Sequence, residues 1–165
     1  MITSIVDTFN GLPLHVFVVH AAVILVPLAA LSSIALLRAA WRPRLARLVP
    51  ALVLLAWLLV WLARASGEAL ATAIRPQTRG TVVAAAIHEH EEFAEQLNLM
   101  LFALLVLVVI YALAYSRLSG ALALGFAVVI ALVAVGVIGS TALTGEQGAR
   151  AVWNPDGSTS YQLNS

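Results

Sequence analysis

The sequence contains four long runs of apolar residues, and these runs decide what the chain can fold into. Hydrophobic residues make up 62% of its 165 residues and charged residues only 10%, whereas a soluble domain has about 45–50% and about 25%. At about 1.5 Å per residue, the runs suit helices that cross a hydrocarbon core of about 30 Å, although the second is short. We therefore predict an all-α integral membrane four-helix bundle over residues 1–143, followed by a short C-terminal tail over residues 144–165 that could form a hairpin. The predicted spans are about 14–37, 48–64, 92–115 and 120–143.

Positive charge indicates the orientation of the spans. Arg38, Arg42, Arg44 and Arg47 follow the first run within ten residues and no acid interrupts them. Short arginine-rich loops stay in the cytoplasm. The residues before the first run include no lysine or arginine, so we interpret that run as a permanent span and not as a signal peptide. With four spans, both termini are then expected outside the cytoplasm.

Composition excludes several classes of function. The net charge is only +1 and lysine is absent, so no basic field points to nucleic acid. The absence of cysteine excludes a thiol nucleophile, an iron–sulfur cluster and a thiolate-bound zinc. We find no Ser–His–Asp arrangement, no phosphate-binding loop and no HExxH pattern, and we expect no independent enzymatic activity.

The four histidines are the main candidates for a functional site. His15 and His20 enter the first span, while His88 and His90 come just before the third. All four are predicted at one depth, and an ionisable group inside a span suggests a functional site by default. His15 and His20 are about 140° apart around a helix, so they cannot share a face. We expect His20, the deeper of the two, to face inward and to meet His90.

Three interpretations of these groups remain open. In the first, two histidines from the first and third spans ligate a haem b between the helices, as helix bundles can; the candidates are His20, His90, His15 and His88. In the second, a divalent transition metal is held by imidazole and carboxylate groups, with His20, His90, Glu68 and Glu95 as ligands. In the third, the same groups form a hydrogen-bonded cluster whose role is purely structural.

Four motifs, in order, resemble those of a known family. They are Leu12-Pro13-Leu14-His15 with His20, Ser66-Gly67-Glu68-Ala69, Glu89-His90-Glu91-Glu92, and Thr144-Gly145 with Gly148 and Val152-Trp153. The chain is similar to a bacterial family of small four-span membrane proteins, domain-of-unknown-function family 2231. Val16 stands where a proline is usual and Glu146 where some members carry a histidine. The resemblance implies this topology in a bacterial cytoplasmic membrane and favours His15, His20, His90 and Glu68, but it supplies no reaction.

Two functions follow as hypotheses. The first is a membrane protein that carries electrons, or only binds its cofactor, with a haem or metal site on the outer half of the bundle. The second is a non-catalytic accessory or scaffolding subunit of a larger membrane complex, or a homo-oligomer. For the second, Gly136 and Ser140 form a small-xxx-small pair that lets another helix approach closely.

Overall fold

The computed structural model describes residues 8–158 and consists of four long α-helices after a short β-hairpin. Strands β1 (Thr8–Phe9) and β2 (Leu12–Pro13) pair antiparallel. The helices are α1 (Leu14–Leu36), α2 (Arg42–Thr78), α3 (Val82–Ala114) and α4 (Gly120–Trp153). The all-α four-helix fold predicted from the sequence is confirmed.

The hairpin turns at Asn10-Gly11, where the sequence predicts a turn. Both residues have positive φ angles, 50° and 79°, as a two-residue hairpin loop that follows the strand twist requires. The ring of Phe9 lies edge-on to that of Phe17, with centroids 5.6 Å apart. This contact fastens the hairpin to the start of α1.

Three of the helices extend beyond the apolar runs. Helix α2 continues to Thr78 and α3 starts at Val82, so the polar connection between these spans is almost entirely helical. Helix α4 continues to Trp153 and includes residues 144–153 of the predicted tail. Hydropathy marks the part of a helix that suits lipid, whereas backbone hydrogen bonding continues for as long as neighbouring helices support it.

A turn follows α4 at the Pro-Asp dipeptide. The N–H of Gly157 donates to the carbonyl of Asn154 over 3.2 Å. The backbone N–H and hydroxyl of Ser158 both donate to Asp156 and hold the pKa of that carboxyl below its usual value. The hairpin expected around this turn extends past residue 158 and so lies outside the described residues.

The helices form a closed bundle with alternating directions. Both α1 and α3 pack against α2 and α4, so α1 and α3 face each other across the diagonal. We call the end at which α1 and α3 begin the histidine end, and the opposite end, with the α1–α2 and α3–α4 loops, the arginine end. The core between them consists of apolar side chains with almost no exposure, among them Leu36, Val53, Leu101, Leu104, Val108, Ile130 and Val137.

The outside of the bundle is as apolar as the inside. Large side chains such as Ile24, Leu113 and Leu132 are 72%, 77% and 66% exposed. A soluble protein does not expose an apolar surface of this extent to water. All four helices are long and apolar enough to cross a membrane, so the chain has the architecture of a multi-pass membrane protein in contact with lipid.

Arg42 connects three helices at the arginine end. Its Nη2 donates to the carbonyl of Leu37 over 3.0 Å. Its guanidinium lies over the rings of Tyr111 and Tyr115, 5.5 Å and 5.8 Å from their centroids. One side chain thus ties the end of α1 and the start of α2 to the end of α3.

Candidate cofactor site at the histidine end

His15 is fixed by a hydrogen bond to the neighbouring helix. It lies in the first turn of α1, and its Nδ1 is 2.9 Å from the carbonyl oxygen of Ala63 on α2. A carbonyl oxygen can only accept, so Nδ1 carries the proton. In the neutral imidazole, Nε2 is then the atom with the free lone pair.

Gly67 provides the space that the His15 ring occupies. It lies one turn beyond Ala63 on the same side of α2. A Cβ atom at this position would be 3.0 Å from Cε1 and 3.1 Å from Nδ1 of His15, closer than ordinary van der Waals contact. Only a residue without a side chain leaves the ring where it is.

His90 repeats this arrangement on the other two helices. Its Nδ1 is 3.0 Å from the carbonyl oxygen of Thr144 on α4, so it too is protonated at Nδ1. Gly148 lies one turn beyond Thr144, and a Cβ atom there would be 3.0 Å from Cε1 of His90. The α1–α2 pair and the α3–α4 pair therefore hold their imidazoles by the same device, a carbonyl followed four residues later by a glycine.

The two imidazoles meet across the diagonal of the bundle. The ring centroids of His15 and His90 are 6.3 Å apart and the ring planes make an angle of 81°. Each Nδ1 is used by a carbonyl, and neither Nε2 has a hydrogen-bond partner among residues 8–158. Two neutral imidazoles with their Nε2 lone pairs free cannot hydrogen-bond to each other. Each can instead use its Nε2 lone pair to ligate a metal ion.

His20 does not take part in this pair, although the sequence predicts it as the leading ligand. It is exposed on the outside of α1, and its Nδ1 contacts the carbonyl of Val16 in its own helix. The expected meeting of His20 with His90 does not occur, because the inward face of α1 passes through His15, Val18 and Ala22.

The remaining candidates lie outside the bundle. His88 is exposed and 3.5 Å from Glu92 on its own helix. Glu68 is exposed on α2, and Glu95 is 3.9 Å from Arg64 with 73% of its side chain exposed. Neither carboxylate joins His15 and His90 in a ligand set.

The site is therefore a pair of imidazoles and not a larger cluster. Within residues 8–158, no group of three or more histidine, aspartate or glutamate side chains is arranged to hold a metal ion. Gly67 and Gly148 belong to the sequence motifs of α2 and α4, but the motifs alone predict no contact for them. Their spacing of four residues from Ala63 and from Thr144 is a signal of that contact, provided that the partner helices are known.

Comparison with protein-family models, with curated proteins and with solved structures finds no match. The resemblance to the four-span bacterial family therefore stays a prediction.

Proposed function

We propose that this protein binds one haem b between His15 and His90 and carries electrons at the histidine end of the bundle. The observation that supports it is the pair of neighbouring imidazoles, each held by a carbonyl through Nδ1 and each with no hydrogen-bond partner for Nε2 among residues 8–158. Axial haem ligation by imidazole uses one such nitrogen on each face of the porphyrin.

The spacing of the rings suits a shared metal. A five-membered ring with bonds of about 1.33 Å has a radius of about 1.1 Å, and imidazole–metal bonds are about 2.0–2.1 Å long. Two imidazoles on opposite sides of one metal would thus have centroids about 6.3 Å apart. The distance between the His15 and His90 centroids is 6.3 Å.

Haem fits the donor set better than a single divalent ion does. A structural zinc site uses four protein ligands and a catalytic one three, whereas residues 8–158 hold no such group. A porphyrin supplies four nitrogens of its own and needs only two axial ligands. Glu68 and Glu95 are not required in this arrangement.

The chain's own residues bind and orient the group, while a bound haem would supply the one-electron chemistry. The carbonyls of Ala63 and Thr144 accept from Nδ1, fix the tautomer of each imidazole and make Nε2 a stronger donor. Gly67 and Gly148 carry no side chain, so α2 and α4 can lie directly against the two imidazole rings. The surrounding core of apolar side chains keeps water from the inner side of the site.

Titration of the purified full-length protein with ferric haem b in detergent tests this proposal. We expect one haem per chain, with the absorption and electron paramagnetic resonance spectra of low-spin bis-imidazole iron. His15→Ala and His90→Ala should lose that signature. His20→Ala and His88→Ala are matched controls and should keep it. Failure of the unaltered protein to bind haem would overturn the proposal, and elemental analysis of the same sample would reveal a metal ion instead.

The orientation in the membrane is part of the same proposal. The α1–α2 loop and the start of α2 carry Arg38, Arg42, Arg44 and Arg47, and the α3–α4 loop carries Arg117, with no acid among them. By the positive-inside rule these loops belong in the cytoplasm of a bacterium. The histidine end and both termini would then lie on the outer side of the cytoplasmic membrane.

Assembly into an oligomer or a larger complex is a second candidate function. The pair Gly136 and Ser140 faces the chain's own bundle, because Ser140 is buried and a Cβ atom at Gly136 would lie 2.6 Å from Cε of Met100. Gly125 and Gly139 instead lie on the exposed side of α4, and a Cβ atom at either would meet nothing within 4 Å. Exposed small residues let a second helix approach closely in a membrane. Sedimentation of the detergent-solubilised protein, with Gly139→Leu as the disrupting variant, distinguishes an assembly from a monomer.

A further inference from the structure

We propose that Arg64 binds a carboxylate of the haem and so selects a ligand with negatively charged side groups. This inference rests on the proposed function, because it concerns the same site. Haem carries two propionate side chains, and a carboxylate is the partner that the planar guanidinium binds best.

Arg64 lies at the level of the imidazole pair. It follows Ala63, whose carbonyl holds His15, so the two residues differ by about 1.5 Å along α2. The other arginines of the histidine end are farther along their helices. Arg150 is six residues past Thr144, or about 9 Å, and Arg75 is twelve past Ala63, or about 18 Å.

The direction of Arg64 on α2 is also known from its contacts. Arg64 approaches Glu95 on α3, and Trp57, seven residues earlier, packs against Phe102, seven residues after Glu95, with ring centroids 5.5 Å apart. Arg64 therefore projects along the seam between α2 and α3. His15 contacts the neighbouring face of α2, through Ala63 and Gly67.

This seam borders the place where the edge of a porphyrin would lie. A porphyrin held by two axial ligands is perpendicular to the line that joins them. Since His15 and His90 are on the diagonal pair α1 and α3, its edges would face α2 and α4. Arg64 is on one of these two helices, at the level of the imidazole pair.

The present partner of Arg64 leaves the guanidinium available. The Nη2 of Arg64 is 3.9 Å from Glu95, which is too long for a hydrogen bond, and 73% of the Glu95 side chain is exposed. Exposed ion pairs of this kind contribute little. The Arg64 side chain is only 36% exposed, so a carboxylate beside it would be less screened by water than Glu95 is.

The test is a titration of two ligands against matched variants. The full-length protein, Arg64→Gln and Arg64→Lys are each titrated with haem b and with its dimethyl ester, which lacks both negative charges. We expect Arg64→Gln to weaken the binding of haem b by about 10- to 100-fold, the value of a charge-assisted hydrogen bond, and to leave the binding of the ester unchanged. Arg64→Lys should retain part of the difference.

Two controls keep the outcomes separate. Arg150→Gln removes an arginine 3.2 Å from Glu146 and should change neither affinity. Glu95→Gln removes the competing carboxylate and should not weaken the binding of haem b. Equal loss of both ligands in Arg64→Gln, or no loss of either, would overturn the role of Arg64 while the unaltered protein still binds haem. Absence of binding by the unaltered protein would instead overturn the proposed function.

Discussion

The imidazoles of His15 and His90 lie across the bundle from each other, with ring centroids 6.3 Å apart and ring planes at an angle of 81°. Each is anchored by a carbonyl of the adjacent helix, from Ala63 in one case and Thr144 in the other. The two contacts differ by only 0.1 Å in length. The α1–α2 and α3–α4 pairs thus act as equivalent halves that present one imidazole each.

Replacing the glycine beside either ring should destabilise the protein. Gly→Ala in a helix ordinarily gains about 0.5–1 kcal/mol. In Gly67→Ala and Gly148→Ala the new methyl group would lie 3.0 Å from the imidazole, and such overpacking costs about 1–3 kcal/mol. Gly139→Ala, which meets nothing within 4 Å, is the control. Thermal unfolding in detergent measures the difference, and equal stability of Gly67→Ala and Gly139→Ala would contradict this account.

The free energy of unfolding should depend on whether an apolar side chain is buried in the core, which its hydropathy does not indicate. Leu104 has no exposed surface, whereas Leu113 is 77% exposed. We expect Leu104→Ala to lower the free energy of unfolding by about 2–5 kcal/mol through the cavity that it leaves. Leu113→Ala should cost far less, because lipid replaces the lost contacts. Unfolding by a denaturing detergent compares the two, and similar losses would show that the bundle is not packed as described.

Arg42 should not be replaceable by lysine at the arginine end. Its guanidinium lies over Tyr111 and Tyr115 and also bonds to the carbonyl of Leu37. A compact ammonium cannot keep these contacts together. We expect Arg42→Lys to cost about 1–2 kcal/mol, and Arg47→Lys, on an exposed position, to be close to neutral. Thermal unfolding again provides the measurement, and a neutral Arg42→Lys would refute the expected role.

Single cysteines can determine the orientation, because the chain has none of its own. Gln77→Cys places an exposed thiol at the histidine end, and Ser116→Cys places one at the arginine end. In intact bacterial cells, a membrane-impermeant thiol reagent should label Gln77→Cys at once. It should label Ser116→Cys only after the cells are permeabilised. The reverse pattern would place the histidine end in the cytoplasm.

Composition was sufficient to predict the fold. The four apolar runs predict four helices, and the structure has them, with the arginines in the α1–α2 loop and in the first turns of α2. The helix ends could not be predicted in the same way. Residues 65–78 of α2 and 144–153 of α4 are helical but too polar to look like spans, so a reading based on hydropathy ends too early.

The sequence favours a pair of His20 and His90, whereas the structure places His90 beside His15 and His20 on the exposed side of α1. His20 lies deeper in the first span than His15, which favours it as an inward-facing residue. Depth in the membrane does not specify the direction of a side chain around a helix whose residues are apolar on every side. When nearly all neighbours are leucine, valine or alanine, no polar face marks which side is outside. The Gly67 and Gly148 contacts reach from one helix to the next, and the sequence of a single helix cannot specify them.

The apolar core separates the histidine pair from the arginine end of the bundle. From His90 to Tyr115 the bundle extends 25 residues along α3, or about 37 Å. The buried polar side chains of the described residues are Ser33, Ser66, Ser140 and Thr141, and no acidic or basic side chain is among them. Within residues 8–158, the core between the two ends therefore holds no series of buried charged groups that could pass ions from one end to the other. In the function proposed for the histidine pair, the electron donor and the electron acceptor would therefore both approach from the histidine end of the bundle.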